Sequence, residues 1–128
     1  MSDFNQLHNR AVWFDIPVAD LDRAAAFYRA VLKLKVEKSE FDGFSFCVLD
    51  HGDGNGGCPV PNAGEVSGTA GILVYMNVEG RIRDAVLQTQ KQGGSVLEPT
   101  RGIGPHGFRA VELDSEGNRI ALHSAIDA

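Results

Sequence analysis

Two stretches of alternating apolar and polar positions, sixty residues apart, organise this chain. From Ala11 to Val18, the residues Val12, Phe14, Ile16 and Val18 fall on one face of an extended strand, with Trp13, Asp15 and Pro17 on the other. From Ile72 to Val78 the alternation returns: Ile72, Val74, Met76 and Val78 against Leu73, Tyr75 and Asn77. After each strand the period lengthens. Leu21, Ala24, Phe27, Tyr28, Val31 and Leu32 recur at spacings of three and four, which predicts a helix over 21–32. Asp20 is suited to cap it, since its carboxylate accepts from the free amides of the first turn. Ile82, Ala85, Val86 and Thr89 predict a second helix over 81–91, stopped by Gly93-Gly94. At the end of the first helix Lys33 stands where glycine would be usual. A left-handed residue there costs about 1 kcal/mol.

The rest of the chain alternates strands with turn chemistry. Residues 34–40 and 44–50 read as strands around Asp42-Gly43, a hairpin signal. Residues 51–71 are rich in glycine and proline and predict a short strand near 57–60, then a linker over 61–69. Residues 95–98, 108–114 and 119–124 read as strands. A Gly/Pro loop over 100–107 and a turn at Ser115-Glu116-Gly117-Asn118 separate them. At an offset of 60, Val12, Ile16, Val18, Arg23, Ala25, Phe27 and Val36 meet Ile72, Met76, Val78, Arg83, Ala85, Leu87 and Val96. At an offset of 64, Phe44, Leu49 and Asp50 meet Phe108, Leu113 and Asp114. Each half is therefore strand-helix-strand-strand-strand. The expectation is an α+β fold, a single domain of two tandem βαβββ modules. The first spans about 10–60 and the second about 71–124, with a linker at 61–70. Helices cover one face of each sheet, and the two open faces curl into a cup.

Composition narrows the function classes. The chain has 128 residues, a formal charge of -5 and 43% hydrophobic residues, which suits a globular protein. Its lysines and arginines are scattered, which argues against nucleic acid. No apolar run approaches the roughly 20 residues of a membrane span. The polar residues 1–10 read as a loose arm, without the basic and apolar regions of a signal peptide, so a cytoplasmic location is expected. Cys47 and Cys58 form neither a disulfide framework nor a CxxC pair. The glycine-rich stretch lacks the Lys-Ser/Thr of a phosphate loop.

Two segments carry a resemblance. "Val-Ala-Asp-Leu-Asp-Arg-Ala-Ala-Ala-Phe-Tyr-Arg-Ala-Val-Leu" in the first half, and "Leu-Asp-Ser-Glu-Gly-Asn-Arg-Ile-Ala-Leu-His-Ser" at the end of the second, look like the vicinal oxygen chelate superfamily. This is the glyoxalase, bleomycin-resistance and extradiol-dioxygenase group, and the likeness covers about residues 10–124. Metal-dependent members carry His, Gln or Glu on the cup face of the first and last strand of each module. Here those positions hold Trp13, Leu73, Ala121 and either Gly57 or Cys58, so the resemblance implies a departure from the metal site. It also implies a homodimer, because a partner module often completes the cup.

Alternation then gives the cup wall. The first strand supplies Trp13 and Asp15, the opening strand of the second half Leu73, Tyr75 and Asn77, and the last strand Ala121 and His123. The phase of the middle strands is open, and one phase adds Phe44, Phe46, Ala110 and Glu112. Such a wall suits a small, partly planar organic ligand. Trp13, Asp15, Phe46, Leu73, Tyr75, Asn77 and His123 are the candidate ligand contacts. His123, Glu112 and Asp15 are the candidate acid-base groups. Each has a plainer reading: Trp13 as core or dimer packing, Asp15 as an ion-pair partner, Glu112 as a rim carboxylate, His123 as a structural residue. His106, within Gly-Ile-Gly-Pro-His-Gly, is a candidate lid. His8 and His51 read as surface residues, and Cys58 as a small packed one. Two functions stay open. One is a metal-free binding protein without cofactor. The other is a glyoxalase-like lyase, isomerase or dioxygenase working through an atypical metal site or through Asp15, Glu112 and His123.

Overall fold

The computed structural model describes residues 8–128, so most of the arm expected over 1–10 lies outside the described residues. The first half runs β1 (Trp13–Val18), α1 (Leu21–Leu32), β2 (Val36–Phe41), β3 (Phe44–Leu49) and β4 (Gly56–Pro61). The second runs β5 (Tyr75–Asn77), α2 (Ile82–Lys91), β6 (Ser95–Gly102), β7 (Phe108–Leu113) and β8 (Arg119–Ser124). In the first half β1 pairs with β4 in parallel and β2 with β3 antiparallel, with β3 lying beside β4. The second half is one mixed sheet in the order β5-β8-β7-β6. The α+β architecture of two βαβββ units is thus present. Among the described residues, no helix is long and apolar enough to cross a membrane.

Local chemistry accounts for the elements. The Asp20 carboxylate accepts from the Arg23 amide at 3.0 Å and caps α1. Lys33 closes the helix at φ 52°, ψ 52°, the left-handed conformation its position demands. The equivalent residue after α2 is Gly93, at φ 90°. Asp42 and Gly43 both have positive φ, as the tight turn between β2 and β3 requires. Only three residues of the expected strand over 72–78 pair regularly. Ile72, expected on the helix-covered face, is 89% exposed. β6 runs on to Gly102, with register irregularities on either side of Glu98 and a proline tolerated at the sheet edge.

One core serves both halves. Ile16, Val18, Phe27, Val31 and Leu49 from the first meet Met76, Val78, Ile82, Ile120 and Leu122 from the second, with α1 packed on α2. The ladders also correct the internal alignment. Val36 pairs with Leu49 and Val96 with Glu112, while Asp15 pairs with Cys58 and Tyr75 with Ala121. If Val36 matches Val96 and Asp15 matches Tyr75, the later strands match at an offset of 63, not 64. A one-residue slip turns every side chain to the other face. Glu112, placed in the cup by one sequence phase, therefore lies under α2 in the position of Leu49, fully buried. Ala110 turns the same way.

The motif Asp114–Asn118 joins the halves. Asp114 accepts from the Tyr28 hydroxyl at 2.6 Å and from the amides of Glu116 and Asn118. Burial and the nearby Asp114 charge push the Tyr28 phenol well above its ordinary pKa, so it remains a donor. Asn118 donates to the Pro17 carbonyl at 2.7 Å. Glu116 accepts from the Ala19 and Asp20 amides and from Arg23. Burial alone would raise the Glu116 carboxyl, but hydrogen bonds from Arg23, the Asp20 amide and Ser115 hold it down at about 2. The residues that carry the family resemblance at the C-terminal end thus do architectural work.

Candidate functional site

With the helices on one face, the open faces follow from strand parity. In the first half, Ile16 and Val18 face the core, which leaves Trp13, Asp15 and Pro17 open. Cys58 lies opposite Asp15 on the same face. Cys47 and Leu49 are core residues, so Phe44, Phe46 and Val48 share the open face. A side chain at Gly57 would meet the Phe14 ring and carbonyl at 2.6 Å, so the residue facing inward beside Phe14 has to be glycine.

Trp13, Cys58 and Asp15 form a directed chain. The Trp13 indole N–H donates to Cys58 Sγ at 3.4 Å, and the thiol donates to Asp15 Oδ1 at 3.3 Å. Burial first, and the Asp15 carboxylate next, push the thiol up to about 11 against the opposing indole donor. A neutral thiol is neither a nucleophile nor a metal ligand. The ring of His51, read from sequence as a surface residue, meets Trp13 edge-on at 5.6 Å. It also lines a groove of about 610 Å³ shared with Tyr75 and Asn77 of the other half. A smaller cavity of about 210 Å³ lies between Asp15 and Pro17 on one side and Val74 and Arg119 on the other.

The second half presents a different surface. Across β6, β7, β8 and β5, one row reads Arg101, Arg109, His123, Asn77, and the next reads Glu98, Val111, Ala121, Tyr75. Arg109 Nη1 donates to the Tyr75 hydroxyl at 2.5 Å, and Nη2 lies 3.4 Å from both Glu98 oxygens. Arg101 is bonded to the same carboxylate. These bonds hold the Glu98 carboxyl below its ordinary range, and the hydrogen bond from Arg101 is the main cause. His123 Nε2 lies 2.7 Å from the His106 carbonyl. A carbonyl only accepts, so Nε2 carries a proton. The same bond ties the His106 loop to β8, although its ring is exposed.

Most of the sequence-derived contacts are therefore on the open faces, in two groups. Trp13, Asp15 and Phe46 share the first, while Tyr75, Asn77 and His123 share the second. Leu73 precedes β5 and lies outside the strand, half-buried. Asn77 spends its carbonyl on the Glu79 amide at 2.9 Å, a local turn contact. Glu112 does not join Asp15 and His123. Its Oε1 is 2.5 Å from Thr89 Oγ1 beneath α2, and its Oε2 is buried without a partner. Burial, with help from Asp114 and against the Thr89 contact, raises its carboxyl to about 8. Thr89 also reaches the Ala85 carbonyl at 3.0 Å. One hydroxyl has one proton, so both contacts are hydrogen bonds only when Glu112 is protonated. Sequence reasoning missed Cys58 as a polar partner and Arg109, Arg101 and Glu98 as an open-face cluster. Correct strand parity in β4 and β7 is the signal that reveals them.

The positions at which the resemblance implies metal ligands do not fit a metal. Trp13, Leu73 and Ala121 have no donor for it, and the Cys58 thiol is neutral and engaged. Among the described residues, no three His, Cys, Asp or Glu side chains come together in a way that could hold an ion.

Comparison with known proteins agrees with this geometry at the level of fold. Residues 10–48 match the sequence profile of the bleomycin resistance protein-like N-terminal family. No curated protein matches the chain by sequence. Among solved structures, a glyoxalase/bleomycin resistance protein/dioxygenase family enzyme from Burkholderia phytofirmans PsJN superposes with a TM-score of 0.67 at 19% identity. The match covers 88% of this chain and 96% of the other. The fosfomycin resistance protein FosX from Listeria monocytogenes gives 0.68 at 12% identity, covering 92% and 94%. A glyoxalase/bleomycin resistance protein from Albidiferax ferrireducens T118 gives 0.67 at 17%, covering 88% and 95%. The chain is similar to the bleomycin resistance protein-like N-terminal family in sequence over residues 10–48, and to glyoxalase/bleomycin resistance structures in fold over nearly its whole length.

Proposed function

On a glyoxalase-type fold whose ligand positions suit no metal, we propose that the chain binds a small, partly aromatic organic molecule on its open faces without a metal ion. The observation that carries this reading is the chain Trp13–Cys58–Asp15. It puts an indole, a neutral thiol and a carboxylate where the resemblance implies a metal site. The indole ring supplies an aromatic surface of the kind that suits a planar ligand. Phe46 extends the same surface, and Tyr75 lines a groove with His51, whose ring meets Trp13. A second copy of the chain would complete the cup, as the resemblance implies. The glyoxalase-like alternative loses its acid-base trio, because Glu112 lies on the opposite side of the sheet from Asp15 and His123.

Isothermal titration with 2-naphthamide, a neutral planar probe, tests the reading. Trp13 is the only tryptophan in the chain, so its emission reports occupancy directly. Binding with quenching of Trp13 is expected, together with loss of affinity by at least about tenfold in Trp13→Ala. Metal analysis of the purified protein is the second arm. Near-stoichiometric tightly held metal would overturn the metal-free reading.

A further inference from the structure

The open face of the second half concentrates positive charge in a chain whose net charge is -5. Arg101 and Arg109 stand directly opposite each other in the β6–β7 register, where like charges destabilise a sheet. Glu98 is the carboxylate between them, and it serves both guanidiniums. Arg119 adds a third cation on the same face, held through its Nη2 by the Gly71 carbonyl. The Nε atoms of Arg109 and Arg119 are buried without hydrogen-bond partners. Arg101 and Arg109 share the single Glu98 carboxylate, whereas Arg119 borders a cavity that Asp15 and Glu65 also line. The Tyr75 hydroxyl stands beside Arg109 as a further polar contact, fixed by its guanidinium. The same Tyr75 lines the groove with His51, whose ring touches Trp13. Two residues lining that groove thus each touch a different surface, cationic or aromatic: Tyr75 is bonded to Arg109, and His51 meets Trp13.

From this juxtaposition we infer that the ligand is an aromatic acid. Its oxyanion, a carboxylate or a group of like shape and charge, sits against Arg101 and Arg109, and its ring lies toward Trp13. A planar guanidinium offers paired N–H donors that match an oxyanion's geometry, and charged hydrogen bonds are the strong ones. Arg109 is pre-oriented by Tyr75 and Glu98, so little side-chain freedom is lost on binding. This inference rests on the binding reading above and specifies the chemistry of its second half.

The test is titration calorimetry of the full chain with 2-naphthoate beside 2-naphthamide, with Trp13 emission as a second readout. The carboxylate is expected to bind about tenfold more tightly or better, and raising the salt should weaken it while sparing the amide. Arg109→Gln should abolish the preference, weakening the carboxylate far more than the amide. Arg101→Gln, at a more exposed position, should reduce the preference and serves as the second variant if Arg109→Gln unfolds. Equal affinity for the two probes in the wild type would overturn the anion site while leaving the binding reading standing. Binding of neither probe would sink the binding reading and this inference with it.

Discussion

The two halves share a scaffold and differ at nearly every position where chemistry is possible. With offsets of 60 in the early elements and 63 in the later strands, Asp15 answers to Tyr75, Cys58 to Ala121 and Phe46 to Arg109. One open face is aromatic with a thiol and an acid; the other is cationic with a phenol. The helix-covered faces diverge as well. Leu49 answers to Glu112, and the pair Phe14 and Gly57 answers to Val74 and Ile120. Where the first half fills space with one large ring beside a glycine, the second divides the volume between two aliphatic residues. The lesson is that backbone pairing survives exchange of volume, polarity and charge.

Glu112 is the exchange without evident compensation, and it gives the largest expected effect. Its carboxyl rises from 4.5 to about 8 on burial. An acid raised by folding contributes fully below its unfolded value. That contribution fades between about pH 4.5 and pH 8 and is gone above. Relative to Glu112→Gln, the wild type should lose on the order of 4 kcal/mol across that window. Glu112→Leu, which copies the first half, should flatten the dependence too. Urea unfolding at several pH values measures both, and a constant difference between wild type and Glu112→Gln would contradict the buried proton.

The volume exchange gives an intermediate effect. Gly57→Ala places a methyl against Phe14 and should cost about 1–3 kcal/mol. Phe14→Val, which copies the second half, removes the clash with the ring but leaves that with the Phe14 carbonyl. The double variant should recover part of the loss, so a double-mutant cycle by thermal unfolding should show coupling of at least about 0.5 kcal/mol. Strict additivity would mean that the two sites relax independently.

The smallest effect lies at the helix ends. Lys33 holds φ 52° where Gly93 serves the other half. Lys33→Gly should stabilise by about 0.5–1 kcal/mol, since the ion pair with Asp84 that it gives up is a long, exposed contact at 3.9 Å. Equilibrium denaturation resolves a change of that size.

The sequence carried the fold well wherever period and caps agreed. The helix over 21–32, the left-handed Lys33 and the Asp42-Gly43 turn needed only local chemistry. β7 was harder. The likeness of Phe44, Leu49 and Asp50 to Phe108, Leu113 and Asp114 suggested an even shift, whereas the ladders impose an odd one. Parity is a pairing property that no single strand encodes. That slip hid Arg109 and misplaced Glu112. β4 was harder still, because Gly-Gly-Cys-Pro-Val-Pro has turn composition although it pairs in parallel with β1 throughout. Trp13, Asp15, Tyr75 and His123 were legible because their strands alternate cleanly. Cys58 was not, since its role depends on a neighbour 43 residues away.

The turn Asp114–Asn118 bears on how the molecule is made. Asn118 reaches the Pro17 carbonyl across 101 positions of sequence, and Glu116 reaches the Ala19 amide across 97. During synthesis at roughly 5–20 residues per second, the first helix leaves the ribosome several seconds before the turn that tethers its leading end. The first half therefore waits in an unfinished state, and contacts of such separation close late and slowly. Translation speed over the second half thus becomes a variable in the yield of native protein.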